Sequence, residues 1–301
     1  MMLKYPLISF VVTSYNYEKF IVKTLESILA QTYKNYEIVV VDDYSSDNSV
    51  AKVEEFISLH QDVRITLVKH SSNMGQLAAM MSGLKTARGQ FISFIDSDDL
   101  LVEEYAAAHL RVHLSTSVAF TSAQIIEIDE NDEIHTINSI SSPHRTACLE
   151  PKTLDELLKV DVEHIDYDIL KRSRFGGWYW SPNSAIMYRK SAIEIVLKYK
   201  HPEKWKICPD KFLCNFANLV GGSAIIYVPL VAYRRHGQNA GGSDYIVGNH
   251  KYNSDKTTCV NVANNIKIRP ETLEFLIENR SDFVAKFGTR GYIKMILSVL
   301  F

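Results

Sequence analysis

Up to Ile95 the chain reads strand, helix, strand, helix, strand, helix, strand, and few folds accept that order. Ile8 to Val12 is a continuous apolar run of strand length, and Glu18 to Gln31 carries Ile21, Leu25, Ile28 and Leu29 on one helical face. Glu37 to Val41 reads as a second buried strand, Ser46 to Leu59 as a helix with Val50, Val53 and Ile57 in phase, and Val63 to Val68 as a third strand. The turn Asn73-Met74-Gly75-Gln76 opens a helix that reaches Ala87, and Phe91 to Ile95 is the fourth strand. Repeated βα units of this length imply an α/β fold with a parallel sheet and helices on both faces.

Beyond Leu100 the pattern loosens. A helix is expected from Val102 to Ser115 and a strand from Val118 to Ile128, then a polar loop or hairpin from Asp129 to Pro143. Farther on come the aromatic turn Phe175 to Pro182, a strand from Ser184 to Tyr188, and helices over Lys190 to Lys200 and Ile207 to Val220. Ala224 to Tyr233 reads as an edge strand, because Pro229 cannot donate to a ladder. Pro270 stands at a first helical position, and a further helix follows Ser281.

With 301 residues, 46% of them hydrophobic, the chain has core enough for one large α/β domain or two small ones. A formal net charge of -2 gives no global pull toward nucleic acid or anionic lipid, so any phosphate binding must be local. Cys148, Cys208, Cys214 and Cys259 are spread without a C-x-x-C pair, which disfavours a zinc site and a disulfide framework and points to a reducing cytosol. The N-terminal apolar run is too short for a secretory or membrane-spanning segment, so the expectation is a cytoplasmic protein. The apolar stretch Tyr292 to Phe301 is also too short to span a bilayer. It suits either a membrane interface or packing against the body or a second subunit.

Chemistry collects where strands should end. Asp96-Ser97-Asp98-Asp99 follows the fourth strand directly, and in an open α/β sheet ligands bind beyond the carboxyl ends of the strands. Carboxylates so close together repel unless a metal or protons neutralise them. Hard oxygen donors point to Mg²⁺ or Mn²⁺, which take their remaining ligands from water and a substrate's phosphates. A solvated acidic turn capping the next helix would use the same residues. Val41-Asp42-Asp43-Tyr44-Ser45-Ser46-Asp47 repeats the arrangement after the second strand. There Asp43 suits a ribose hydroxyl or a base N–H, and Asp47 a helix N-cap.

Taken in order, Thr13-Ser14-Tyr15-Asn16, Gln31-Thr32-Tyr33, Val41 to Asp47, Asn73-Met74-Gly75 and Asp96-Ser97-Asp98-Asp99 resemble glycosyltransferase family 2. The resemblance implies the GT-A fold, a Rossmann-like and mostly parallel sheet flanked by helices, here with a C-terminal helical extension. It implies a nucleotide-sugar-binding half over 1–120, an acceptor-binding and catalytic-base half over 121–245, and the extension over 246–301. Thr13 and Tyr15 match the loop along the nucleoside, Asp43 the acid that hydrogen-bonds the base, and Asn73 and Gly75 the turn closing over it. Asp96 and Asp98 match the D-x-D pair, with Ser97 between them in the same nucleotide site. By that match Asp98 would ligate Mg²⁺ or Mn²⁺, and Asp99 would serve as a cap or supporting partner.

Pro209-Asp210 resembles the family's later acidic motif, usually Glu-Asp, whose Asp is the catalytic base; Pro209 departs from it and Asp210 keeps the carboxylate. Tyr233-Arg234-Arg235-His236 resembles the Arg-x-His segment, in which the histidine completes the metal shell or touches the diphosphate, and the two arginines favour the phosphate side. The implied function is inverting, metal-dependent transfer from a nucleotide-sugar, with UDP favoured, to a glycan or lipid-linked acceptor in bacterial surface polysaccharide synthesis. Nucleic acid is not a partner in this reading. Peripheral membrane contact through the C-terminus, at the inner face, and homo-oligomerisation stay open.

Trp178-Tyr179-Trp180 could offer ring faces to an acceptor sugar, Lys171 to Arg174 a phosphate contact, and Gly241-Gly242-Ser243 a loop over the donor. A haloacid dehalogenase-type phosphohydrolase also places D-x-D after a parallel strand, but it continues with Thr or Val where this chain has Leu100. A nucleotidyltransferase needs a Gly-rich basic loop after the first strand, which Thr13 to Asn16 is not. A binding module that lost turnover is the third alternative.

Overall fold

The computed structural model describes residues 5–136, 160–170, 175–176, 179–236, 246–247, 250–251 and 268–301. Its first half is built from β1 (Ile8–Ser14), α1 (Ile21–Leu29), β2 (Tyr36–Asp42), α2 (Ser49–Leu59), β3 (Ile65–Lys69), α3 (Gln76–Thr86) and β4 (Phe91–Asp96). The four strands are parallel, in the order β3-β2-β1-β4. Successive side chains of a strand point to opposite faces, and the core divides accordingly. Phe10 and Val12 join Ile38, Val40 and the α1 residues Ile21, Leu25 and Ile28 on one side. On the other, Val11 joins Val39, Val41, and Leu77 and Met80 of α3. Each such side chain fully buried is worth about 1.5–3 kcal/mol, so the apolar runs, occupied on both faces, hold the sheet rigidly.

The second half continues the sheet. It contains β5 (Leu100–Leu101), α4 (Tyr105–Ser115), β6 (Phe120–Ile128), β7 (Ile134–Thr136), β8 (Tyr167–Leu170), β9 (Ile186–Arg189), α5 (Pro209–Gly221), β10 (Ser223–Arg234), α6 (Ile268–Glu278) and α7 (Arg280–Leu300). The full order is β3-β2-β1-β4-β9-β6-β10-β5, with β7 beside β6 and β8 beside β10. Strand β9 runs antiparallel to β4 and β6, while β6 and β10 are parallel.

Several expectations change. Strand β10 is interior, not an edge: β8 pairs with Ser223 to Ile226 and β5 with Val231 and Ala232, so Pro229 falls in the gap between them. Against β6 the register shifts on both sides of Pro229, which absorbs the missing donor. The helix expected from Lys190 to Lys200 is one α-turn, Lys190–Ile193, followed by 3₁₀ structure over Glu194–Lys198. Trp180 is fully buried and its indole N–H donates to Ser223 Oγ at 2.9 Å, so that ring is core and not an acceptor platform. Trp178, Lys171 to Arg174 and Gly241 to Ser243 lie outside the described residues. Cys208 is disulfide-bonded, against the expectation for the cysteines. The C-terminal apolar stretch forms the end of α7, with Met295 and Val299 buried against the body. Among the described residues no helix is long and apolar enough to cross a membrane.

Candidate active site

Strands β1, β2 and β4 stop at one edge, because Thr13 stands in register with Asp96 and Ser14 with Asp42. Beyond that edge lies a cavity of about 880 Å³. Thr13, Tyr15, Asp43, Asn73, Gly75, Asp96, Ser97, Asp98 and Asp210 all line it, which brings together residues up to about two hundred positions apart in sequence. Six carboxylates (Glu18, Asp43, Asp47, Asp96, Asp98 and Asp210) and two ammonium groups (Lys19 and Lys206) line the same cavity.

The acids are held in different ways. Asp43 is buried, and its two oxygens accept the amides of Met74 at 2.8 Å and Gly75 at 2.7 Å, with His70 Nδ1 at 2.7 Å. It therefore fastens the Asn73 to Gly75 turn to β2. Gly75 has φ +91°, and a Cβ there would stand 2.8 Å from Lys206 Cα, so only glycine permits this approach. The Gln76 amide donates to the Lys206 carbonyl at 3.2 Å, which ties the turn to the segment leading into α5. Asp47 accepts the amides of Ser49 at 2.9 Å and Glu18 at 3.0 Å; the N-cap of α2 is the next residue, Asn48, so Asp47 joins the loop after β1 to the helix entry rather than occupying the cap position.

At the exit of β4, Asp96 accepts Gln76 Nε2 at 2.7 Å, and its amide is bonded to Ser184 Oγ. Burial, then the Asp98 and Asp210 carboxylates, push Asp96 well above the usual carboxylate range. Asp99 is pushed up by burial and by Asp98 and Asp96, and it accepts the Arg234 amide at 2.9 Å. Asp98 Oδ2 lies 2.9 Å from His236 Nε2. The His236 ring stacks on Phe20 at 5.0 Å and meets the edge of Tyr17 at 5.7 Å, so the loop after β1 fixes the ring that faces Asp98.

Asp210 stands in the first turn of α5, behind Cys208 in the left-handed region (φ 55°) and Pro209 at the helix start. Burial raises its pKa to about 6, against weaker lowering by the Lys211 amide. A carboxylate poised there is matched to taking a proton near neutrality.

The two arginines bond groups of the chain itself. Arg234 donates to the carbonyls of Asp98 at 2.7 Å and Asp129 at 2.8 Å and pairs with Asp132, while Arg235 pairs with Glu127 at 2.7 Å. Both are buried and lock the end of β10 to β4 and β6.

Residues 9–195 match the glycosyl transferase family 2 profile. The chain belongs to glycosyl transferase family 2. An uncharacterized glycosyltransferase of Nostoc sp. is 29% identical over 234 residues, 77% of this chain and 66% of that protein. The Escherichia coli UDP-Glc:alpha-D-GlcNAc-diphosphoundecaprenol beta-1,3-glucosyltransferase WfgD is 37% identical over 125 residues, 42% of this chain and 48% of that protein. This chain thus spans at most 66% of the length of these curated relatives. S. aureus TarS in complex with UDP-GlcNAc shares the fold, with a TM-score of 0.57 at 18% identity, covering 97% of this chain and 79% of that one.

The family 2 match contains the strand-edge motifs but ends before Asp210 and His236. It decides against the phosphohydrolase alternative. Sequence reasoning missed Gln76, Lys206, Tyr17 and Phe20. Gln76 directly follows the Asn73 to Gly75 motif and Lys206 precedes Asp210 by four residues, so proximity to a motif was their signal. Tyr17 and Phe20 gave none, since only the crossing of the β10 end over the β1 loop reveals their contact with His236.

Proposed function

We propose that this chain transfers a sugar, with inversion, from a UDP-sugar to a hydroxyl of a glycan or lipid-linked acceptor, in building a bacterial surface polysaccharide. One observation carries the reading: acids from the exit of β4 and from the start of α5 line a single cavity, and Asp210 among them is held near neutrality. The names of the E. coli relative and of the TarS complex supply the donor and acceptor classes.

In this reading residues 1–120 take the donor, 121–245 the acceptor and the base, and 246–301 are an extension, helical over Ile268–Glu278 and Arg280–Leu300 and with Ile246–Val247 paired to His250–Lys251. Thr13, Tyr15, Asn73, Gly75 and Ser97 border the nucleoside, and Asp43 fixes the turn that closes on it. An acidic cavity repels a diphosphate, so donor binding calls for a cation. Asp98 and His236, 2.9 Å apart, would hold Mg²⁺ or Mn²⁺ with help from Asp96; among the described residues no three such side chains converge, so the ion would complete its shell largely from phosphate and water. When bound, the cation neutralises charge building on the departing nucleoside diphosphate. Asp210 accepts the proton of the acceptor hydroxyl as that oxygen attacks C1 opposite the leaving group, and one displacement inverts the centre.

Calorimetric titration with UDP, GDP and dTDP, with and without Mn²⁺, tests this. UDP should bind with Mn²⁺ and at least about tenfold more weakly without it. Absence of binding for every nucleotide in both conditions would overturn the reading.

A further inference from the structure

A helix packed on a globular body needs one apolar face, and the end of α7 has two. Met295 and Val299 turn inward. Outward stand Ile293 (49% exposed), Leu297 (47%), Leu300 (52%) and Phe301 (91%), whose spacing places them on one helical stripe. α7 is kinked at Gly288 (φ 72°), and the segment beyond the kink carries Arg290 and Lys294 and no Asp or Glu, in a chain whose net charge is -2. Lys286 pairs with Glu194, while Arg290 and Lys294 are exposed beside the stripe. Apolar side chains flanked by cations, on a helix lying against the surface, match the chemistry of an anionic lipid interface.

The inner face of this helix, behind the stripe, is tied to α5. Arg269 donates to the carbonyls of Val299 and Phe175, and the next amide, Gly176, donates to Asn215 Oδ1 of α5, the helix that begins with Asp210. We infer that the end of α7 is a docking surface for an anionic bilayer, seating the acceptor side of the cavity toward lipid. Its purpose rests on the lipid-linked acceptor proposed above, whereas its test does not.

The full chain, without donor or acceptor, is sedimented with vesicles of phosphatidylcholine alone or mixed with phosphatidylglycerol. Partition should be at least about tenfold stronger into the anionic vesicles and fall with salt. Leu297→Glu with Phe301→Ser should weaken it by about 10- to 100-fold and Lys294→Ala by about fivefold. Thermal melting and UDP binding should stay unchanged, since these side chains are exposed. No partition, or equal partition of wild type and variants, would overturn the inference. So would a dimer in sedimentation velocity that Leu297→Glu dissolves, because a second copy would then cover the stripe. Loss of UDP binding with vesicle partition intact strikes only the nucleotide reading, and the reverse strikes only this one.

Discussion

Buried acids sit at both ends of the central strands, and the protein treats the two ends differently. At the start of β2, Glu37 accepts the Ser9 hydroxyl at 2.7 Å and the Arg88 amide at 2.6 Å, with Arg64 at 3.6 Å; Ser9 Oγ in turn accepts the Gly89 amide at 2.9 Å. There the chain itself meets the carboxylate. At the opposite edge Asp96, Asp98 and Asp99 crowd together, burial and mutual repulsion raise Asp96 and Asp99, and Asp99 Oδ2, Asp42 Oδ1 and the hydroxyls of Ser14 and Ser97 are buried with no hydrogen bond among the described residues. An acid fully met by its own chain stabilises a fold. A cluster whose charge and acceptors exceed the donors around it gives up stability in favour of a ligand, which is the mark of a functional edge.

The largest expected effect separates chemistry from binding at that edge. Asp210→Asn should lower turnover by about 10²- to 10⁴-fold, roughly 3 to 5 kcal/mol in barrier, while UDP affinity in Mn²⁺ holds. A loss of UDP affinity as large as the loss of turnover would place Asp210 in donor binding. Next comes the contrast itself, read by urea unfolding. Glu37→Ala strands the Ser9 hydroxyl and the Arg88 amide and should cost about 3 kcal/mol with UDP binding intact. Asp98→Asn should leave stability unchanged or raise it by about 1 kcal/mol, through relief of repulsion, and abolish the Mn²⁺ dependence of UDP binding. Equal destabilisation by the two substitutions would erase the distinction between the ends.

The pH profile gives a smaller effect. Burial raises Asp210 to about 6, so its protonated form, which cannot take a proton from the acceptor, predominates below that value. The rate kcat/KM should fall about tenfold for each pH unit below 6 and level off above it. The residual activity of Asp210→Asn should lose this slope, and a slope that survives belongs to another group.

How much of this was legible in the sequence follows from the range of the interactions concerned. The βα alternation of the first half is local: strands of apolar runs and helices with one apolar face declare themselves within a few residues, and β1, β2 and β4 lie where periodicity placed them. The clustering of Asp43, Asp96 and Asp98 was legible for the same reason, since each follows its strand directly. Strand β10 was misread because Pro229 excludes a regular ladder but not a gap between β5 and β8, and such a gap depends on two distant partners. Arg234 and Arg235 favoured a phosphate-side reading of His236, and the partners of their own side chains, on Asp98, Asp129, Asp132 and Glu127, are more than a hundred residues away and so were not legible. Trp180 sat among glycines and a proline and so suggested a loop, but Ser223 gives its N–H a buried partner.

Phe20 is the residue on which the functional edge depends without offering it any polar atom. Its ring stacks on His236 at an interplanar angle of 26° and lies 4.9 Å beneath the Arg234 guanidinium, so one side chain positions both the imidazole at Asp98 and the arginine that clamps the end of β10. Phe20→Leu keeps an apolar side chain there but removes the flat face on which the His236 ring stacks, loosening its hold beside Asp98. Loss of an orienting partner typically weakens a metal site by about 10- to 100-fold when it is a hydrogen bond, and a ring contact should do less, about 3- to 10-fold. Free Mn²⁺ followed by electron paramagnetic resonance in the presence of UDP reads this directly, and turnover at saturating Mn²⁺ should fall less than the affinity does. Mn²⁺ affinity unchanged in Phe20→Leu and also in His236→Ala would reduce His236 to a hydrogen-bond partner of Asp98, and the acid edge would then need its cation from Asp96 and Asp98 alone.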